Sequence, residues 1–484
     1  MRIPAQRTRE SRVADPVHGD HAVVLGASMS GLLASRVLAD HFEQVTLVER
    51  DRLTGHGLPR RGVPQARHAH VLLPRGATVL GELFPGLLEE LVAAGVPVAD
   101  NLGDLYYNVN GHTFFGDAHA GEARRSIEKG KLYKPSRPFL EAQVLRRVMA
   151  LPNVDVLDGC DVEDLVTDAA SSRVSGVRVT SRGDATAQRS LVSDLVVVAT
   201  GRSGRAPAWL ESMGFAAPEE EEVRVDLKYV THTVRFPTAP LGRRQAVLVG
   251  PVPERPTIAG ALEQEGHAWV VTFGGYGGHH PPMDKEGWLA FGDRILPREF
   301  AEALHEAEPL DGPRQHRFPA NLRRRYDRLE RFPGGLLVLG DAVCSFNPIY
   351  GQGMTVAALE ALALEEALEQ GWPDLAKRFF KAAAIPAGNA WSFATGGDLS
   401  MPASVVPGSR PFSVRAMASF VDRFQAAAEH DPVLAWRFID VTGFEEPPSV
   451  MFSADSIRRM ASDRRHHRRT GALAEAVAEE MRWP

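Results

Sequence analysis

The chain is poor in cysteine. Two of its 484 residues, Cys160 and Cys344, are cysteines, which excludes a disulfide scaffold and makes a reducing, cytoplasmic setting the expectation. Long apolar runs are missing too. No stretch approaches the ~20 residues needed to span a bilayer, so stable membrane insertion is not expected. A large excess of charge of one sign is lacking as well, with 55 Lys and Arg against 61 Asp and Glu. The formal net charge is −6, which gives no electrostatic reason to expect nucleic acid as a partner. Basic residues concentrate at Arg458-Arg459 and Arg464-Arg465-His466-His467-Arg468-Arg469, which reads as a solvated helix face. Met1 to Asp20 mixes arginines, acids and prolines without an apolar centre, as a disordered lead-in does and a secretion signal does not. No internal repeat occurs. What is present is an ordinary globular composition, 44% hydrophobic and 24% charged, in a chain longer than one ordinary domain.

Two glycine-punctuated segments carry most of the information. The first is Val23-Val24-Leu25-Gly26-Ala27-Ser28-Met29-Ser30-Gly31, followed by Leu32-Leu33-Ala34-Ser35-Arg36-Val37-Leu38 with helical apolar spacing. A strand, a tight turn and a helix start coincide there. Such a turn aims unpaired N–H groups and the positive end of a helix dipole at a pyrophosphate. The next apolar run, Val45-Thr46-Leu47-Val48, ends in Glu49 and Arg50. Glu49 stands where a dinucleotide fold places a carboxylate for ribose hydroxyls. The middle glycine of the usual G-x-G-x-x-G pattern is Ser28, small enough to permit close approach. The second segment is Val338-Leu339-Gly340-Asp341-Ala342, continuing to Pro348-Ile349-Tyr350-Gly351-Gln352-Gly353-Met354-Thr355 and an alanine-rich helical stretch.

This second segment resembles the G-D-A…P-x-x-G-x-G-M signature of flavoprotein monooxygenases of the para-hydroxybenzoate hydroxylase type. The resemblance implies FAD as cofactor, with Asp341 on the ribityl chain and the backbone near Gly351, Gly353 and Met354 at the pyrimidine edge. It places Arg137 beside the flavin, Arg61 as a weaker contact of the same kind, and the backbone of Val162 at adenine. With Gly26, Ser28, Met29, Ser30, Gly31, Glu49 and Arg50, these form the expected cofactor set. The segments Arg60-Arg61-Gly62-Val63-Pro64-Gln65-Ala66-Arg67-His68-Ala69-His70, Arg323-Arg324-Arg325-Tyr326-Asp327-Arg328-Leu329 and Trp391-Ser392-Phe393-Ala394-Thr395-Gly396-Gly397-Asp398 are similar to a narrower branch. Its members are flavin-dependent epoxidases acting on polyene precursors of polyether antibiotics.

The expected fold is α/β, α+β overall. A discontinuous Rossmann-like FAD domain (20–223 and 325–375) carries an inserted antiparallel-sheet substrate domain (224–324), followed by a C-terminal helical region (376–484). Val225 to Val234 alternates with period two, as a half-buried strand does. Glu219-Glu220-Glu221-Glu222 reads as an acidic loop, and the stretch from Gly274 to Pro282 as a loop bordering a pocket. Pro386, Pro402 and Pro407 are expected to divide the last helices. Tyr229 and Phe273 are the expected substrate contacts, with Trp269 and Tyr276 nearby.

The resemblance implies insertion of one O2 oxygen into a hydrophobic natural-product intermediate, by epoxidation or hydroxylation through a flavin C4a-hydroperoxide. Epoxidation requires no protein base, so none is assigned. The hydroxylases of this class carry Asp-Gly where Thr200-Gly201 stands here. The electron source is therefore NAD(P)H directly or a separate flavin reductase as partner. A cyclase that keeps FAD for structure and shapes a polyene for ring closure is the alternative. A flavin halogenase is disfavoured because its Trp-x-Trp-x-Ile-Pro element is missing around Trp269. His68 and His70 lack the acidic or cysteine companions a metal site needs, and no metal is expected.

Overall fold

The computed structural model describes residues 19–53, 60, 62–99, 102–114, 131–242 and 244–462. The lead-in before residue 19, Arg61 and the cluster Arg464 to Arg469 lie outside them.

A five-stranded parallel sheet forms the first layer. Its order is Val154–Asp158, Phe42–Glu49, Gly19–Leu25, Leu195–Val198, Leu336–Val338, so the chain's first strand is central. This is the 3-2-1-4-5 order of a dinucleotide-binding fold. Its central strands are runs of valine and leucine buried on both faces, as a sheet sandwiched between helices requires. Helix Met29–Leu38 packs against helix Gly353–Glu369 on this layer. The link from the third strand to the fourth is a three-stranded antiparallel sheet, Cys160–Thr167, Val174–Ser181 and Asp184–Val192.

The second layer is a large mixed sheet built around strand Glu220–Arg235, which pairs antiparallel with Trp269–Gly275 and Arg314–Arg324. It extends through Thr257–Glu263 and Ala246–Val249 to Leu105–Val109 and His112–Phe114, two strands drawn from the first part of the chain. Alternation holds from Val225 to Tyr229. From Tyr229 to His232 every residue is buried, because both faces are covered there. Helices Lys285–Asp293 and Arg298–His305 cover one face through Trp269, Phe273, Trp288, Phe291 and Phe300.

Two expectations are corrected here. The acidic run is no loop: Glu220, Glu221 and Glu222 begin the long strand opposite Arg324, Arg323 and Leu322. Glu220–Arg324, Glu221–Arg325 and Glu219–Arg328 ion pairs, each at 2.9 Å, neutralise it against the arginine-rich segment. Nor does Pro386 divide helices, since it lies inside helix Leu375–Asp398. Pro386 and Ala382, four residues earlier, both border a cavity. Pro402 and Pro407 do fall in the connection to the next helix, Phe412–Ala428. Helix Pro432–Thr442 follows, then the 3-10 turn Pro448–Phe452 and a helical stretch over 454–462, the last described residues.

Candidate active site: a nucleotide cleft beside a large cavity

Leu25, Val198 and Val338 stand in register at one edge of the parallel sheet. Both glycine segments leave the sheet at this edge. Gly26 has φ +103°, and a Cβ there would lie 2.6 Å from the carbonyl oxygen of Ala199. A Cβ on Gly31 would collide with the carbonyl of Gly26, and one on Gly340 (φ +69°) with the side chain of Ser30. The two distant segments are therefore in direct contact. Ser28 is the N-cap of helix Met29–Leu38 with φ −87°, a conformation open to any residue, and no acidic side chain occupies the first turn. Met29 is buried in the core, whereas Ser30 is half-buried beside Gly340.

At the second strand's end, the Glu49 carboxylate is buried and accepts from the N–H of Ala27 (2.7 Å) and of Asp51 (2.9 Å). Arg60, a residue the sequence reading passed over in favour of its neighbour, reaches across this end. Its Nη1 lies 3.3 Å from Glu49, and its Nη2 donates to the Ala27 carbonyl (2.7 Å) and to Glu141 (3.3 Å). Arg137, at the start of helix Arg137–Met149, donates through Nε and Nη2 to the other oxygen of Glu141 (3.0 and 2.7 Å). Burial alone would raise the Glu141 pKa, but the Arg137 and Arg60 guanidinium groups hold it below its ordinary value. Arg50 is exposed at the strand end. Val162 is half-buried on strand Cys160–Thr167, whose approach is tied in by the Gly159 N–H donating to the Asp51 carbonyl (3.3 Å).

At the fifth strand's end, Asp341 is open to solvent but sits deep in a recess. That burial raises its pKa, while Arg137 and Arg202 pull it down. Beneath it, the Gly340 N–H donates to Glu360 at 2.6 Å. Burial pushes the Glu360 carboxyl up to about 8, and its Oε1 has no hydrogen-bond partner. Helix Gly353–Glu369 then starts with no acid in its first turn. Side chains placed on Gly351 or Gly353 would meet nothing within 4 Å, so open space lies before this helix N-terminus. Met354 is buried behind it.

The segment from Pro348 to Gln352 also borders a partly open cavity of about 1170 Å³ between the large sheet and the C-terminal helices. Tyr229 lines it, as expected. Phe273 does not. Period-two alternation turns Thr272 to the cavity and Phe273 to the opposite face, where its ring packs on Trp288 at 4.6 Å. Trp269 lies in that same opposite cluster. The stretch Tyr276 to Pro282 does not border the cavity; Tyr276 is buried in a polar hub instead. Asp398 is the centre of that hub. It accepts from Tyr276 (3.0 Å), Asn347 (2.8 Å), Tyr350 (3.2 Å) and Asn321 (2.7 Å). Burial raises the Asp398 pKa to about 6 against these four donors. No short motif signalled the hub, because its members come from four separate segments.

The sequence is 40% identical over 443 residues to protein Rv3254 of Mycobacterium tuberculosis, covering 88% of this chain and 90% of that protein. The chain belongs to the Rv3254 family. No family model matches it. Among solved structures it resembles p-nitrophenol 4-monooxygenase PnpA of Pseudomonas putida DLL-E4, with 17% identity, TM-score 0.62, and 89% of this chain and 99% of that one covered. It also resembles the Diels-Alderase PyrE3 of pyrroindomycin biosynthesis, with 17% identity and TM-score 0.56, covering 88% of this chain and 80% of that one. The chain thus shares the fold of these two proteins. Among the described residues, no helix is long and apolar enough to cross a membrane.

Proposed function

We propose that this protein is an FAD-dependent monooxygenase that inserts one oxygen atom of O2 into a hydrophobic small molecule held in the large cavity. The observation that carries the reading is a junction: the glycine segment Gly351 to Gly353 opens a helix N-terminus onto free space, and the same segment borders the cavity. The residues fit FAD. The Gly26–Gly31 turn offers backbone N–H groups for the pyrophosphate, Glu49 an acceptor for ribose hydroxyls, and Asp341 one for the ribityl chain. Arg60 supports the fit with a buried guanidinium nitrogen, Nη1, that has no hydrogen-bond partner.

When bound and reduced, the flavin supplies with O2 an electrophilic oxygen for transfer, and the second oxygen leaves as water. The chain's own part is positional. The helix N-terminus at Gly353 favours negative charge on a reduced ring, and the apolar cavity walls exclude water and hold the substrate. The resemblance to polyene epoxidases supports an alkene or phenol substrate of natural-product type. Two electrons come from NAD(P)H or from a separate reductase, and Thr200 in place of the hydroxylases' aspartate favours the reductase. A second reading, a cyclase using FAD structurally, is favoured by the likeness to PyrE3.

Purified protein should be yellow or take up added FAD. Oxidation of NADPH, alone and with a flavin reductase, is then followed with lipophilic alkenes and phenols. Substrate-stimulated O2 consumption supports the monooxygenase; product formed without reductant supports the cyclase. A colourless protein that refuses FAD overturns both.

A further inference from the structure

His68 and His70 border the cavity on the side of the large sheet. Hydrogen bonds fix which nitrogen of the His70 ring carries the proton and limit His68 to two arrangements. His70 Nδ1 lies 2.8 Å from the carbonyl oxygen of His68. A carbonyl accepts and cannot donate, so Nδ1 carries the proton and Nε2 presents a lone pair. His68 Nδ1 lies 2.7 Å from the Thr231 hydroxyl, which lies 2.7 Å from the Thr272 hydroxyl, which accepts from the Ala69 N–H at 3.0 Å. Two arrangements of this chain are open, and each leaves one proton facing the cavity. In one, Thr272 donates to Thr231, Thr231 donates to His68 Nδ1, and His68 carries its proton on Nε2; in the other the chain runs the opposite way and the Thr272 hydroxyl donates into the cavity it lines. Among the described residues, neither Nε2 has a hydrogen-bond partner.

Both rings stay neutral near pH 7. Burial lowers His68 to about 3, helped by His316, His70 and Arg67. Burial lowers His70 to about 4, with Arg137 next in effect. The imidazoles of His68 and His316 are 5.5 Å apart between ring centroids, and no set of three metal-ligating side chains is present among the described residues.

We propose that this pair is a recognition edge for a hydroxyl-bearing lipophilic substrate. His70 Nε2 accepts from the substrate hydroxyl, and His68, in the first of its two arrangements, donates through Nε2–H to a substrate oxygen. The inference rests on the monooxygenase reading for one point, that the anchored oxygen marks the substrate end nearest the flavin.

Equilibrium dialysis with biphenyl, 4-phenylphenol and 4-methoxybiphenyl tests it without turnover. Asparagine reproduces the Nδ1 side of histidine and lacks Nε2, so His70→Asn keeps the bond to the His68 carbonyl. It should weaken 4-phenylphenol about tenfold, the worth of one buried hydrogen bond, and leave biphenyl and 4-methoxybiphenyl within about twofold. His68→Asn, which keeps an acceptor for Thr231, should weaken 4-methoxybiphenyl several-fold and spare biphenyl. Equal loss for all three probes, no loss for any, or no binding of any probe by the unaltered protein overturns the proposal. FAD affinity, measured in parallel, should not change in either variant. If the protein refuses FAD while the probe pattern holds, the flavin reading fails and the recognition edge stands.

Discussion

The nucleotide cleft and the cavity wall meet at the loop from Asn347 to Gly351 and are built on opposite principles. The cleft is a backbone device. Three strand ends in register bring Gly26, Gly31 and Gly340 so close that side chains there would collide with neighbouring residues. The cavity wall, with the polar hub that adjoins it at Tyr350, is a side-chain device. Asp398 gathers Tyr276, Tyr350, Asn347 and Asn321, and His68 reaches Thr231 across more than 160 positions of sequence. A backbone site demands glycine at fixed spacing and so leaves a readable trace. A side-chain site can draw its members from anywhere the fold brings together.

The comparison breaks first at Gly31. Gly31→Val drives a branched side chain into the Gly26 carbonyl, and neither backbone can yield without separating helix Met29–Leu38 from the central strand. The expected cost is about 3 kcal/mol or more, with FAD uptake abolished. Thermal unfolding and the flavin-to-protein ratio measure both. A yellow Gly31→Val protein with an unchanged melting temperature would show that the close approach is not what builds the cleft.

The cavity side is probed at its hub. Asp398→Ala leaves four buried donors without their acceptor and should cost about 2 kcal/mol. Asp398 also has a pH signature. Its folded pKa, about 6, exceeds its ordinary value of 3.8. The folded state therefore binds the extra proton, and stability falls as pH rises from about 4 through 6, then levels. Asp398→Asn should remove that slope. Melting temperatures of both variants at several pH values between 4 and 8 check the pair of expectations, and an unchanged slope in Asp398→Asn refutes the second.

The same contrast explains what was legible in the sequence. Gly26, Gly31, Glu49 and Asp341 could be placed together because each sits within a few residues of a strand end of one sheet. Arg60 was overlooked, since an arginine in a turn carries no signal that it points inward; the expected contact Arg61 lies outside the described residues. Phe273 was misplaced because every residue of Trp269–Gly275 is buried, so hydrophobicity cannot tell the cavity face from the helix-covered face. Register decides it: Thr272 pairs with Thr231, and both hydroxyls face His68. The acidic run failed for a related reason. Four glutamates read as a loop until the arginines a hundred residues later are placed beside them.

The smallest effect should come at Ser28, where the cleft departs from the usual glycine pattern. Two different demands are made of glycines in such a turn. Gly26 needs a positive φ, whereas Ser28, at φ −87° and ψ −177°, occupies ordinary extended backbone. Its hydroxyl makes no capping bond to the helix it precedes, so Ser28→Gly removes no hydrogen bond and relieves no strain. Stability should change by no more than a few tenths of a kcal/mol. FAD affinity then isolates the remaining role of this position, the room it leaves for a phosphate. Ser28→Gly should keep affinity within about twofold, while Ser28→Val, equally compatible with the backbone but bulkier, should weaken it at least about tenfold through steric exclusion of the ligand. Equal affinities for the two variants would mean that the pyrophosphate does not approach the chain at this residue.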